Sequence, residues 1–197
     1  MDRMIEYFKR HNGYARTKYL KEAGFQTKTI KEYYEKGTIE KIKPGLYKLS
    51  EEFTEITAMS DICQAIPKAV IFLGTALYYH QLITFSPPQI QIAVPESYKI
   101  PKLEYLMIDV FHLRDKVYKE GVITIKKRNS EFKIYSKEKS VCDSFKFRNQ
   151  IGEDIAIEAL KEYLRENNNN TSKLIEYMKI TRTRNVMSSY IKAVVNS

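Results

Sequence analysis

Apolar residues in the first fifty positions recur at helical spacing in three short stretches. Met4, Ile5 and Phe8 form one stripe over Asp2 to His11, and Asn12-Gly13 supplies the stop signal. Tyr19, Leu20 and Ala23 mark a second helix over Arg16 to Ala23, followed by Gly24, which tolerates the positive φ that often ends a helix. Ile30, Tyr33 and Tyr34 mark a third over Thr27 to Lys36, closed by Gly37. The spacing then turns from helical to alternating. Thr38 to Ile42 and Leu46 to Leu49 read as two strands around the turn Lys43-Pro44-Gly45. Three short helices and a basic hairpin, with a glycine in the short joint between the second and third helices, predict a winged helix-turn-helix over residues 1–50.

Residues 51–197 carry a different pattern. Glu51 to Glu55 reads as a linker or a helix start. Helices are predicted over Thr57 to Ile66 and Thr75 to Gln81, with the apolar run Val70 to Leu73 between them and a break at Ser86-Pro87-Pro88. Gln89 to Val94 alternates and reads as a half-buried strand. Tyr105 to Phe111, Val122 to Lys126 and Phe132 to Tyr135 add three strands, the last two turning near Asn129-Ser130. Helices then follow over Lys137 to Phe147, Asp154 to Glu166, Ser172 to Met178 and Thr183 to Val195, with Thr171 a suitable N-cap. The expected fold class is α+β: a winged helix-turn-helix, then a larger α+β domain with a four-strand, mainly antiparallel sheet and C-terminal helices.

Charge changes the picture. The 197-residue chain has a formal charge of +9, spread unevenly. Residues 1–50 carry +6, 51–100 carry −3, 101–150 carry +5 and the remainder +1. A polyanion is the natural partner for such blocks, most simply nucleic acid. Gln26, Thr27 and Lys28 stand at the start of the third helix and Lys31 one turn on. These residue types hydrogen-bond to base edges and phosphates. Arg16 and Thr17 at the second helix, and Lys41, Lys43 and Lys48 on the hairpin, complete the candidate DNA-binding set. Lys126, Lys127 and Arg128 form a possible second basic patch at a hairpin tip. A solvated basic face is the plain structural alternative for both groups.

The remaining features exclude more than they suggest. Cys63 and Cys142 stand alone, which excludes a disulfide framework and a cysteine-based zinc site and favours a reducing compartment, the cytoplasm. No apolar run approaches the ~18–20 residues of a membrane span, and the charged start predicts no secretory leader. His11, His80 and His112 lack metal-ligand spacing, and the seven glycines form no phosphate loop, so no metal or cofactor is expected. Asp143 falls beside Val141, Phe145 and Phe147 in a helix. A carboxylate there needs a cap or an ion pair.

The stretch GYARTKYLKEAGFQTKTIKEYYEKGTIEKIKPGLYKL, Gly13 to Leu49, resembles the N-terminal domain of the AbiEi family. The matching steps are Gly13-Tyr14, Gly24, Thr27 to Lys36, Gly37-Thr38-Ile39 and Gly45-Leu46-Tyr47. Leu73 to Leu82 is similar to the family's Ser/Thr-Ala-Leu-x-x-His-x-Leu segment. Tyr135 to Leu164 is similar to its later Asp-containing helix, except that Glu138-Lys139-Ser140 stands where the family often has Arg-Thr. The resemblance implies a non-enzymatic antitoxin and transcriptional repressor of type IV toxin–antitoxin systems, associated with abortive infection and phage defence. It implies autorepression at inverted repeats in double-stranded operator DNA. It also implies antagonism of a nucleotidyltransferase-like toxin without a stable complex. Two rival readings stay open. One is a plain winged-helix regulator whose second domain senses a ligand or dimerises. The other is a Mg²⁺-dependent nuclease in which Asp109 and Glu131 hold metal and Lys133 helps to activate water. Glu131 and Lys133 share one face of a strand, which is also what the wet side of an ordinary strand looks like.

Overall fold

A computed structural model describes residues 2–50, 54–101, 103, 107–127 and 130–195. The fold is mixed α/β, with eleven helices and two sheets among the described residues. The chain forms two compact units. The first comprises Met1–Pro67, Lys99–Leu106 and Ile125–Phe132, and the second comprises Lys68–Tyr98, Met107–Thr124 and Lys133–Ser197.

The first unit opens with helix α1 (Arg3–Arg10), capped by the Asp2 carboxylate, which accepts from the Met4 and Ile5 amides. Strand β1 (Tyr14–Arg16), helix α2 (Thr17–Glu22), helix α3 (Thr27–Glu35) and the strands β2 (Ile39–Lys43) and β3 (Leu46–Leu49) follow. The three strands pair in the order β1-β3-β2, antiparallel throughout. The expected hairpin is therefore present, with a third strand that three residues after Gly13 were too few to signal. Gly24 and Gly37 end α2 and α3 at φ +87° and +70°, where a side chain would strain the backbone. Met4, Phe8, Ala15, Leu20, Phe25, Ile30 and Ile39 make one buried cluster. Each large side chain so buried contributes about 1.5–3 kcal/mol. Helix α4 (Glu55–Ala65) belongs to this unit as well, and buries Ala58, Met59 and Ile62.

The second unit is built on strands β4 (Val70–Ile71), β5 (Ile90–Pro95) and β6 (Ile108–Leu113), with β7 (Val122–Lys127) and β8 (Ser130–Tyr135) each divided between the units. Strand order is β6-β5-β4-β8-β7. The expected four-strand, mainly antiparallel sheet is thus corrected to five strands of mixed direction. Pairs β5–β6 and β4–β8 are parallel, whereas β4–β5 is antiparallel. The reason is visible in β5, where Ile92, Ala93 and Val94 are buried in succession. Consecutive burial belongs to a strand covered on both faces, as parallel strands are, rather than to a half-buried one. Of the expected strand Tyr105 to Phe111, Tyr105 and Leu106 lie outside the described residues. So do Glu51–Phe53 of the expected linker and Asn129 of the expected turn.

Helices α5 (Leu73–Tyr79), α6 (Asp115–Lys119), α7 (Lys137–Lys146), α8 (Arg148–Ile151), α9 (Glu153–Arg165), α10 (Thr171–Thr181) and α11 (Arg184–Val195) complete the second unit. Its main cluster joins Leu77, Val141, Phe145, Ala159, Leu160, Leu174 and Met187. The cap of α10 is Asn170, whose side-chain Oδ1 accepts from the Lys173 amide, rather than Thr171. Asp143 meets its requirement for a partner: Lys139, one helical turn back, lies 2.5 Å away, and both side chains are wholly buried.

Candidate nucleic-acid interface

Helix α3 turns two kinds of residue in opposite directions. Ile30 is buried and Tyr33 packs against the same cluster. Gln26, Thr27, Lys28 and Lys31 are exposed. The 3.6-residue period makes this division, because 27, 28 and 31 lie off the stripe that 30 and 33 occupy. Lys28 makes no ion pair or side-chain hydrogen bond among the described residues. Lys31 lies 3.5 Å from Glu35 in an exposed pair of the kind that contributes little. Gln26 occupies the N-cap position but its side chain caps nothing. The first-turn amides of α3 therefore keep their capacity for an acceptor, beside the positive end of the helix dipole.

Elsewhere in the unit, Arg16 is exposed at the end of β1. The Thr17 amide donates to the Gly45 carbonyl at 3.0 Å, tying the start of α2 to the hairpin turn. Lys41 is half-buried on β2.

The other two hairpin lysines, expected to arm a wing against phosphate, have partners inside the first unit; Lys48 is buried and Lys43 half-buried. Lys48 is 5 % exposed. Its ammonium donates to Asp61 Oδ2 at 2.8 Å and lies 3.3 Å from Glu40. Asp61 Oδ1 in turn accepts from the Tyr14 hydroxyl at 2.8 Å. Burial alone would lower the Lys48 ammonium, but the Asp61 and Glu40 carboxylates outweigh it and hold it above its ordinary range. The cause is strand geometry: Leu46 and Lys48 are two apart and share the inner face of β3. Lys43 donates to the Ala65 carbonyl at 2.6 Å. Its ammonium is held below the ordinary range by burial and then by the nearby Arg16 charge. Sequence reasoning missed Asp61 because it lies on α4, past the expected end of the first domain. The available signal was Lys48 itself, in register with Leu46 and so in need of a buried anion.

Of the second basic patch, Lys126 and Lys127 are exposed on β7, and Arg128 lies outside the described residues. Lys126 pairs with Glu131 at 3.6 Å. The Glu131 amide donates to Ser60 Oγ at 3.2 Å. Asp109 accepts from Gln91 Nε2 at 3.4 Å, and Lys133 is exposed. Among the described residues no three His, Cys, Asp or Glu side chains gather as a metal site, and no helix is long and apolar enough to cross a membrane. His80 is mostly buried, with Nε2 2.7 Å from the Tyr135 carbonyl oxygen. Burial lowers its basicity, which that hydrogen bond partly offsets.

No protein-family model and no curated protein matches the chain.

Proposed function

We propose that the first unit is a winged helix-turn-helix that binds double-stranded operator DNA, with α3 as its recognition helix. The observation that carries this reading is the exposed edge of Gln26, Thr27, Lys28 and Lys31 on a helix whose opposite face is fixed in a core. A recognition helix needs that combination, because the groove reads side chains held in one orientation. Uncapped amides at the same end favour a phosphate oxygen. Arg16 adds an exposed cation in the same unit. Lys43 and Lys48 hold the hairpin in place rather than touch DNA.

From the AbiEi resemblance, the whole chain is proposed to be a cytoplasmic autorepressor and antitoxin. It represses its own promoter at inverted repeats and opposes a nucleotidyltransferase-like toxin without forming a stable complex with it. The test is twofold. The chain should shift DNA from upstream of its own gene, and Lys28→Ala and Lys31→Ala should weaken the shift. Co-expression with a neighbouring nucleotidyltransferase-like gene should restore growth. Undiminished toxicity would reject the antitoxin role and leave a plain regulator. Unchanged shifts with both lysines replaced would reject α3 as the reading element.

A further inference from the structure

Three cations of the +5 block of residues 101–150, Arg114, Lys116 and Lys146, meet in the second unit. A cleft of about 640 Å³ lies at the C-terminal ends of the parallel strands β5 and β6. Open parallel sheets hold their ligands at that end, and the volume is that of a small-molecule site. Arg114 and Lys116 enter it from the start of α6, Lys146 from the end of α7, and Lys179 and Arg182 from the end of α10. Glu96 is the one acidic residue in the lining. Phe147, Ile180 and Val117 give the cleft an apolar part.

Three observations say that these cations are held for a ligand. None of the five makes an ion pair among the described residues, so the cleft gathers five cations that no carboxylate neutralises by contact. Their charges act on one another. The Lys146 ammonium is pushed below its ordinary range, first by partial burial and then, against the pull of Asp143, by Lys139, Arg182 and Arg114. Finally, Arg182 caps α10 in the left-handed region, at φ 61° and ψ 35°. Glycine or asparagine suits that position better, so the arginine side chain is kept at some conformational cost. The dipoles of α7 and α10 favour cations at their C-terminal ends, which accounts for some of the clustering. They do not account for Arg114, which precedes the first turn of α6.

We propose that this cleft binds a multiply phosphorylated small molecule of nucleotide size, its phosphates on the five cations and its apolar body against Phe147 and Ile180. This stands apart from the DNA-binding reading and uses none of its residues.

Calorimetric titration of the full chain with inorganic triphosphate, ATP and adenosine tests it. Triphosphate and ATP should each bind saturably at one site, ATP more tightly, and adenosine should give no binding. Added salt should weaken both anions. Arg182→Gly relaxes the left-handed backbone and so keeps the fold. It should weaken ATP by about tenfold, as should Lys146→Gln, the effect of losing one charge-assisted hydrogen bond. Lys126→Gln and Lys28→Ala should leave ATP binding unchanged. Absence of saturable binding, or affinity indifferent to both cleft variants, would overturn the proposal. ATP no tighter than triphosphate would overturn the apolar contact. A single-stranded dodecanucleotide whose binding needs Arg182, with no binding of triphosphate or ATP, would overturn it in favour of nucleic acid.

Discussion

Replacing Asp61 by alanine removes the anion that Lys48 was buried against. Breaking a buried ion pair from one side costs about 3–5 kcal/mol, because the remaining charge stays out of water. Glu40, still 3.3 Å from the ammonium and partly exposed, moves the cost towards the lower end of that range. The Tyr14 hydroxyl loses one acceptor but keeps Ser60 Oγ at 3.0 Å, so this adds at most roughly 1 kcal/mol. The expected destabilisation is about 3–4 kcal/mol, or a fall in Tm of roughly 6–16 °C for a chain of this size. The double variant Asp61→Asn with Lys48→Met removes both charges and leaves an oxygen for Tyr14. It should return to within about 1–2 kcal/mol of the parent. Urea melts followed by circular dichroism measure both. The sign of the pH dependence also follows. Lys48 is held above its ordinary range, so its stabilisation is complete below about pH 10 and disappears only as pH rises through the raised value. A loss under about 1 kcal/mol for Asp61→Ala would refute the buried pair, and with it the removal of Lys48 from the DNA-contacting set.

Other predictions concern the second unit. Asp143→Ala should cost about 3–5 kcal/mol by stranding Lys139, whereas Lys139→Met with Asp143→Leu should be neutral or stabilising in the same melts. Burial holds Asp143 above the usual carboxylate range despite Lys139, so its contribution to stability is complete below about pH 4 and is lost as pH rises through its raised value. The double variant should therefore lose less stability than the parent as pH rises above about 4. Burial also pushes the Cys142 thiol far up, and its Sγ lies 3.6 Å from the Leu174 carbonyl oxygen. Native protein should thus show at most one thiol reactive to a disulfide reagent, Cys63, and two after unfolding. Reaction of Cys142 in the native state would contradict the packing of α7 against α10.

Long periodic stretches were the legible part of the fold. The stripes through Phe8, Leu20 and Ile30, and the helices α7, α9 and α11, follow from spacing alone. Strand β4, two residues long, and the short helices α6 and α8 give no period to read. The direction of β5 and β6 depends on which strands become neighbours, and a single strand's pattern does not record that. At the candidate interface, the edge of α3 was legible because burial and exposure there follow the helical period. The roles of Lys43 and Lys48 were not, because composition marks a lysine as basic and only tertiary contact shows whether its charge is already satisfied. The basic cleft was illegible for a similar reason. Its cations are scattered from Arg114 to Arg182 and meet only where the ends of three helices and two strands converge.

The most direct test of the DNA-binding reading is the salt dependence of binding to the promoter DNA, measured for the parent, Lys28→Ala and Lys48→Met with Asp61→Asn. Each lost phosphate contact lowers the slope of log K against log salt by about one unit. If Lys28 meets a phosphate, Lys28→Ala should weaken binding and lower the slope by about that amount. If it meets a base, affinity should fall by about 1–3 kcal/mol in a sequence-dependent way with the slope unchanged. The Lys48 double variant should leave both quantities as they were. Affinity and slope unaltered by Lys28→Ala, or a slope lowered by the Lys48 replacement, would contradict the account.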